Sequence, residues 1–467
     1  MENAAVQQVN PLGTQKISKL LIKFSVPSIV AMLVSSLYNI VDQIFIGQGL
    51  GYLGNAATTV SFPLSTLCLA IALLLGVGAA SCYSLQLGEG KPELAAQSAG
   101  SAMSAMFLAG VIYFVVGELM LTSVLPLFGA TPENYAYALE YSRIILIGMP
   151  FLIVGNGISQ LCRADGSPSF SMFFMVAGAI VNCILDPIFI FVFRWGMSGA
   201  AWATIIGQIV TFLLALLYIP RFKHAKITRE SFKIRWSALK KCCELGMSSS
   251  LNQAAILIVQ ICINNLFKYY GAASIYGANI PIAASGVAFK LNGLYVSIMV
   301  GLAQGMQPII GFNYGAQQYK RVRKCLLTAM ATIVVLGSMV ELLFQLCPTQ
   351  LILLFGNGGE MYLRFGVMML RVYLMMIGIQ GIWALSSNYF AAIGQPLKGV
   401  FLSLCRSIIY FLPLAFTFPM IWGIEGLICA QPVADFLSVL TAIIMIAISF
   451  KAMKKLEASK AAAENAA

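Results

Sequence analysis

Long apolar runs separated by short polar joints are the dominant pattern along the chain. A helix that crosses a bilayer needs about 20 apolar residues. Twelve runs meet that length: 20–46, 55–86, 95–127, 137–162, 169–193, 199–220, 242–268, 279–311, 322–347, 363–391, 397–421 and 426–450. The stretch 43–88 has no charged residue and is too long for one crossing. Gly47, Gly49, Gly51 and Gly54 mark the turn expected to divide it.

The polar joints alternate in charge. With the N-terminus inside, the inside segments carry 22 of the 29 Lys and Arg, eight of them between Arg221 and Lys241. Basic residues collect on the cytoplasmic side of membrane proteins. The pattern therefore predicts an even number of spans with both termini cytoplasmic, in a cytoplasmic membrane. The expected divisions are an N-terminal arm (1–19), a first lobe (20–220), a basic linker (221–241), a second lobe (242–450) and a tail (451–467). The arm has no signal-peptide core, so the first run is expected to be retained.

The halves repeat at an offset near 227 residues. Gly78 matches Gly305, Gly88 matches Gly315, and Leu127-Phe128-Gly129 matches Leu354-Phe355-Gly356. Trp195-Gly196-x-x-Gly199 matches Trp422-Gly423-x-x-Gly426, and Gly166-Ser167-Pro168 matches Gly394-Gln395-Pro396 one residue further on. Six helices per half give both halves the same orientation, related by an axis along the membrane normal. The predicted fold is an all-α membrane protein of twelve transmembrane helices in two pseudo-symmetric six-helix lobes. Two such lobes rocking about a shared cleft are the architecture of alternating access.

Composition narrows the class. The chain is 59% hydrophobic and 10% charged, where soluble domains carry about 25% charged residues. Its net charge of +12 sits in short loops, with no basic helix face interleaved with aromatics, which argues against nucleic-acid binding. The eleven cysteines are scattered in apolar runs without metal-ligand spacing. His224 is the one histidine, which excludes most histidine-based catalysis. No Gly-x-x-x-x-Gly-Lys-Ser/Thr loop is present, so an ATP-driven pump within this chain is not expected. No nucleophile elbow or zinc helix appears either, and no cofactor or structural metal is expected.

Charges within the apolar runs cost about 2.5–3.5 kcal/mol each and need a reason. Asp42 stands in Tyr38-Asn39-Ile40-Val41-Asp42-Gln43, and Asp186 in Asn182-Cys183-Ile184-Leu185-Asp186-Pro187. Asn182 and Asp186 are four apart and share a helix face. Carboxylates beside amides, removed from water, suit a proton or a sodium ion. The plain alternative is a polar knot that fixes helix packing. Tyr38, Asn39, Gln43 and Lys290 are candidates to line a substrate cleft, with Lys290 either countering an anionic group or snorkelling to the interface. Arg371 and Arg406 are further cations in or near the apolar runs, and Asp435, Glu118 and Glu341 are further acids. Pro27 removes a backbone hydrogen bond from the first helix, as a hinge or as a static kink.

Taken together, these features resemble the multidrug and toxic compound extrusion (MATE) family. The resemblance rests on Pro27, Asp42, Asn182-x-x-x-Asp186-Pro187 and Gly199-Ala200-Ala201-x-Ala203-Thr204. It also rests on Gln307-Pro308-x-x-Gly311-x-Asn313-Tyr314-Gly315-Ala316 and Ala430-Gln431-Pro432-x-Ala434-Asp435. It implies two lobes in a V and a secondary antiporter, not an enzyme, exporting cationic or amphipathic small molecules in exchange for inward proton or sodium flow. Asp42, Asn182, Asp186 and Thr204 match positions that the prokaryotic branch uses for coupling. That branch also carries asparagines in helix 4, where Asn156 and Gln160 stand here. Helices 7 and 10 lack an intramembrane acid, so the second-lobe coupling site of another branch is not expected. The protein is expected to act as a monomer among lipids. A lipid-linked precursor flippase is the alternative, and it would need a strongly cationic cleft. A channel or membrane enzyme would need a polar ring or clustered catalytic residues, which the sequence does not show.

Overall fold

The structure is a computed structural model that describes residues 10–277, 279–354 and 359–466. Phe355 and Gly356 of the repeat lie outside the described residues, as do residues 1–9 of the N-terminal arm. Six helices form the first lobe: α1 (Ile17–Gly51), α2 (Leu53–Gly88), α3 (Pro92–Leu127), α4 (Tyr135–Ala164), α5 (Pro168–Val192) and α6 (Gly196–Arg221). The second lobe begins with α7 (Trp236–Ala272), α8 (Asn279–Gly315) and α9 (Tyr319–Leu346). Next, α10 runs as Glu360–Tyr373 and Ile377–Ala392, bent by 52° between them. The stretch Pro396–Ser459 is two crossings joined at Gly423, whose φ of 59° and ψ of −142° break the helix into α11 (396–422) and α12 (424–459). Twelve spans thus stand among the described residues.

Proline and glycine punctuate these helices as their chemistry requires. Pro92, Pro168 and Pro396 open α3, α5 and α11, where no backbone N–H is needed. Of the four glycines in the first predicted turn, Gly51 makes the break, with φ of 68° and ψ of −160°. The left-handed turn positions recur in the second half. Gly51, Gly90, Gly166 and Gly196 correspond to Gly277, Gln317, Gly394 and Gly423 at offsets of 226–228. Two spans outrun the apolar pattern. α7 starts at Trp236 and takes Lys240 and Lys241 into its first turns, and helix continues from α12 to Ala466 through the Ala- and Lys-rich tail.

The lobes meet along crossings related by the repeat. In one, a Cβ at Gly78 of α2 would overlap the Cys242 carbonyl of α7, and one at Gly246 would overlap that of Leu74. In the other, a Cβ at Gly305 of α8 would lie 2.6 Å from Ser25 Cα of α1, and one at Gly301 2.5 Å from Ile29 Cα. Glycine permits this backbone approach, as in tightly packed membrane helices. Gln307 of α8 donates to the Val77 carbonyl (3.2 Å) and Ser81 Oγ (2.5 Å) of α2. Near the chain ends, a short helix, Pro11–Thr14, is pinned to the second lobe. Asn313 Nδ2 donates to Leu12 O (2.9 Å), and Arg321 to Leu12 O (3.0 Å) and Gln15 O (2.6 Å).

Toward the opposite face the crossing opens. Ser36 of α1 and Ser297 of α8 share a hydrogen bond across this crossing, at 2.5 Å. Beyond it, Gly293 and Gly286 of α8 face open space, where an added Cβ would meet nothing within 4 Å. The cleft is therefore sealed on the face that carries both chain ends and open on the other.

Candidate functional site

In the first lobe, two carboxylates on different helices are brought together. Asp186 of α5 is fully buried and Asp42 of α1 is half-buried, and their carboxyl groups lie within hydrogen-bonding reach of each other. Asn182, one turn earlier on α5, is also buried and donates its amide to Asp186 Oδ1 at 3.3 Å. Three oxygens remain buried without a hydrogen-bond partner: Asp42 Oδ1, Asp186 Oδ2 and Asn182 Oδ1. All three are acceptors, so the site lacks donors rather than acceptors. A proton shared between the carboxyls, or one monovalent cation among the oxygens, supplies what is missing. Among the described residues no group of three His, Cys, Asp or Glu side chains is placed to hold a metal. The donor set here fits a light, exchangeable cation.

Local structure sets this geometry. Pro187 has no N–H to donate back along α5, and directly after it the helix widens into a π-helical turn over Ile188–Val192. α6 presents Thr204, whose hydroxyl donates to the Ala200 carbonyl at 3.1 Å. α4 contributes Tyr141, whose hydroxyl stands among Asp42, Asp186, Tyr38 and Thr204. Tyr141 was not anticipated from sequence, where an aromatic residue in an apolar run carries no distinguishing signal. Gln208, one turn beyond Thr204, also has a buried and unpartnered side-chain oxygen.

The other expected residues are distributed more widely. Asn156 donates its own amide to the Leu152 carbonyl at 3.2 Å. It lies 15 residues along α4 from Tyr141, about 22 Å at the helical rise, and buried Gln160 lies about 28 Å from it. The structure does not bring either to the carboxylates. Tyr38 faces α5 and lines a crevice there with Val41 and Cys183. Asn39 and Gln43 are exposed on α1. Gln43 is two turns beyond Ser36, and Lys290 two turns beyond Ser297, so in these antiparallel helices they face one another across the open cleft. Lys290 is exposed and makes no ion pair among the described residues. Pro27 lies within an uninterrupted helical stretch of α1. Glu118 pairs with Arg143 at 3.1 Å in an exposed contact, and Arg371 donates to the Gln345 carbonyl at 3.2 Å.

At the face bearing the chain ends, Asp165 follows α4 and is fully buried. It accepts from Tyr83 (2.6 Å), Tyr218 (2.7 Å) and the backbone N–H groups of Lys223 (2.7 Å) and His224 (3.1 Å). Every oxygen of this carboxylate is engaged, in contrast to the open valences of Asp42 and Asp186.

Comparison with known proteins agrees with this architecture. The MatE family matches residues 27–188 and again 255–417, one match in each half. The chain belongs to the MatE family. Among similar proteins is the multidrug export protein MepA of Staphylococcus saprophyticus, 24% identical over 446 residues, covering 94% of this chain and 96% of MepA. Another is an FAD transporter of Shewanella oneidensis, 24% identical over 433 residues, covering 90% and 92%. The fold matches a MATE transporter of the MOP superfamily solved in an outward-facing conformation. The TM-score is 0.88 at 23% identity, over 97% of this chain and 99% of that one. The MatE fold therefore accounts for the two lobes, the repeat and the twelve spans.

Proposed function

We propose that this MatE protein is a secondary antiporter that exports cationic or amphipathic small molecules in exchange for inward proton or sodium flow. The pair Asp42 and Asp186, with three buried acceptor oxygens lacking any donor, carries this reading. Two charged carboxylates in an apolar bundle repel each other and have lost their hydration, so a cation stabilises the pair as found. Taking up that cation changes the packing of α1 against α5. Because α1 also forms the cleft wall through Ser36 and Gln43, ion occupancy in the lobe and substrate occupancy in the cleft become energetically linked. The excess of basic residues on the face of the chain ends supports placing that face in the cytoplasm. The cleft then opens outward in this structure. The same reading supports residence in a cytoplasmic membrane, and nothing in it requires a second subunit.

The test is purified protein in liposomes with a fluorescent cation as reporter, driven separately by a proton gradient and by a sodium gradient. Asp42→Asn and Asp186→Asn are each expected to lower ion-driven transport by about 100-fold or more while leaving folded protein, since each removes one carboxylate of the pair. Full transport by either variant would remove this site from coupling.

One observation favours a second substrate class. Lys290 stands unpaired in the open cleft, and one relative bears the name FAD transporter. A substrate with an anionic group would pair with this ammonium. Lys290→Gln is expected to weaken transport of anionic amphiphiles while sparing cations. Equal loss of both would reject this reading.

A further inference from the structure

The second lobe holds a buried charge cluster that the coupling reading leaves unused. Arg406 lies in a π-helical turn of α11, Cys405–Phe411. Its Nε donates to Asp435 Oδ1 of α12 at 2.6 Å, and the two side chains are 17% and 4% exposed. Gln431, one turn before Asp435, donates its amide toward both carboxylate oxygens at 3.1 Å. The guanidinium also stands 5.2 Å from the ring centre of Trp383 in α10.

The repeat gives this cluster a meaning. At an offset of 227, Asp435 corresponds to Gln208, Gln431 to Thr204 and Trp383 to Asn156. The two lobes therefore place their buried acids on different helices, Asp42 and Asp186 on α1 and α5 of the first and Asp435 on α12, the counterpart of α6, in the second, and they neutralise them differently. The first lobe has two carboxylates and three oxygens without donors. In the second lobe one carboxylate has both oxygens engaged, and its cation is covalently part of the chain. A guanidinium does not lose its proton in proteins.

We propose that Arg406 is a tethered counter-cation that neutralises the buried acid of the second lobe in place of an exchangeable ion and makes that lobe indifferent to the coupling ion. The inference rests on the first-lobe reading for its contrast. Arg406 is thus a positioning residue: it keeps α11 and α12 in register whatever the proton or sodium concentration, so the ion changes one lobe and not both.

Few other ionisable groups face the pair. Tyr373 of α10 faces both members, Cys405 and Tyr410 share the π-helical segment of Arg406, and Cys429 lies on α12. Between Glu244 and Lys268 of α7, which packs on the same segment, Cys262 is the one ionisable side chain. None of these is a carboxylate or an amine.

The test uses full-length protein carrying Asp42→Asn and Asp186→Asn, so the first lobe no longer responds to the ion. Thermal unfolding is followed against pH and sodium. Arg406→Met leaves Asp435 buried without its partner, so its charged form is desolvated without compensation and the folded state favours the neutral acid. Stability is then present at low pH and lost as pH rises. The melting temperature is expected to drop by about 4 °C or more between pH 5 and pH 8 relative to Arg406→Met with Asp435→Asn, which keeps only the slope of the other ionisable groups. If Arg406→Met does not fold, Arg406→His replaces it. Its imidazole matches Asp435 only when protonated, so stability should again fall as pH rises through about 7. Profiles superimposable on the double variant's would overturn the proposal.

A second measurement separates the two readings. With the first lobe intact, Arg406→Met with Asp435→Asn is expected to keep ion-driven transport within about threefold of the unmodified protein. Loss of coupling there, with folding retained, would overturn the proposal by making the pair part of the transport cycle. Failure of the first-lobe reading would instead appear as transport surviving Asp42→Asn.

Discussion

A carboxylate in this protein is defined by who donates to it. Asp165 accepts four hydrogen bonds, Asp435 accepts an arginine and a glutamine, and Asp186 accepts one long bond from Asn182. The fully satisfied Asp165 ties α2, α6 and the linker after α6 to the end of α4. Asp165→Asn, which replaces one acceptor with a donor facing donors, is expected to destabilise the fold by about 3 kcal/mol, read by denaturation in detergent. His224 adds a pH signature to the same corner. Its imidazole lies over the Gly166 turn, where burial, reinforced by Lys223 and opposed by Asp165, lowers its pKa below the usual 6.5. A group whose folded pKa is depressed contributes stability above its unfolded pKa, and that contribution is lost as pH falls through the folded value. The melting temperature should therefore decline as pH drops from 6.5 into the acid range, and His224→Gln should flatten that part of the slope. An unchanged slope in the variant would exclude His224 as its source. Asp42 and Asp186 were legible in the sequence because an acid in an apolar run is costly wherever the run folds. Tyr141 and Gln208 were not, since their significance comes only from which helices surround them. The resemblance groups Asn156 and Gln160 with the coupling residues, whereas their positions on α4 lie turns away from Tyr141.

At the scale of helices, sequence pattern and structure diverge where backbone geometry departs from the plain α form. The turn at Gly51 and the break at Gly423 follow from glycine. The 52° bend of α10 between Tyr373 and Ile377 has neither glycine nor proline at the bend and was not legible. The π-helical turns at Met369–Tyr373 and Cys405–Phe411 likewise contain neither glycine nor proline and were not legible. The α1–α8 crossing is the clearest case of an element interaction written in single residues. Gly305 lets Ser25 come close, as Gly301 does for Ile29. Gly305→Val should overpack the crossing by about 1–3 kcal/mol. That strain acts on the sealed arrangement and not on one in which the helices have separated. It is expected to shift the balance between the two by roughly 5- to 150-fold. Accessibility of a cysteine introduced at Ser25, measured from each side of the membrane, checks this. Unchanged labelling would show that the crossing absorbs the methyl groups without opening.

For the whole molecule, the question is whether the sealed seam must part for transport, and two native cysteines can answer it. Cys82 of α2 and Cys242 of α7 belong to different lobes, are both buried, and face each other across the α2–α7 crossing. They lie beside the Gly78 crossing, on the closed side of the V. If export requires the cleft to open toward the chain-end face, α2 and α7 have to separate here, because the glycine contacts leave no space for a substrate. A disulfide between these cysteines would hold the lobes as they stand. In a variant keeping only this pair, oxidation is expected to abolish ion-driven transport, with reduction restoring it. Substrate binding from the open face should persist, because Gln43 and Lys290 remain exposed. Transport that continues with the cross-link formed would mean that the substrate passes without parting this seam, and that the motion lies within a lobe. The outcome bears on the proposed asymmetry as well: a first lobe that responds to ions, hinged against an arginine-locked second lobe, can move its half of the seam only if that seam is free to open.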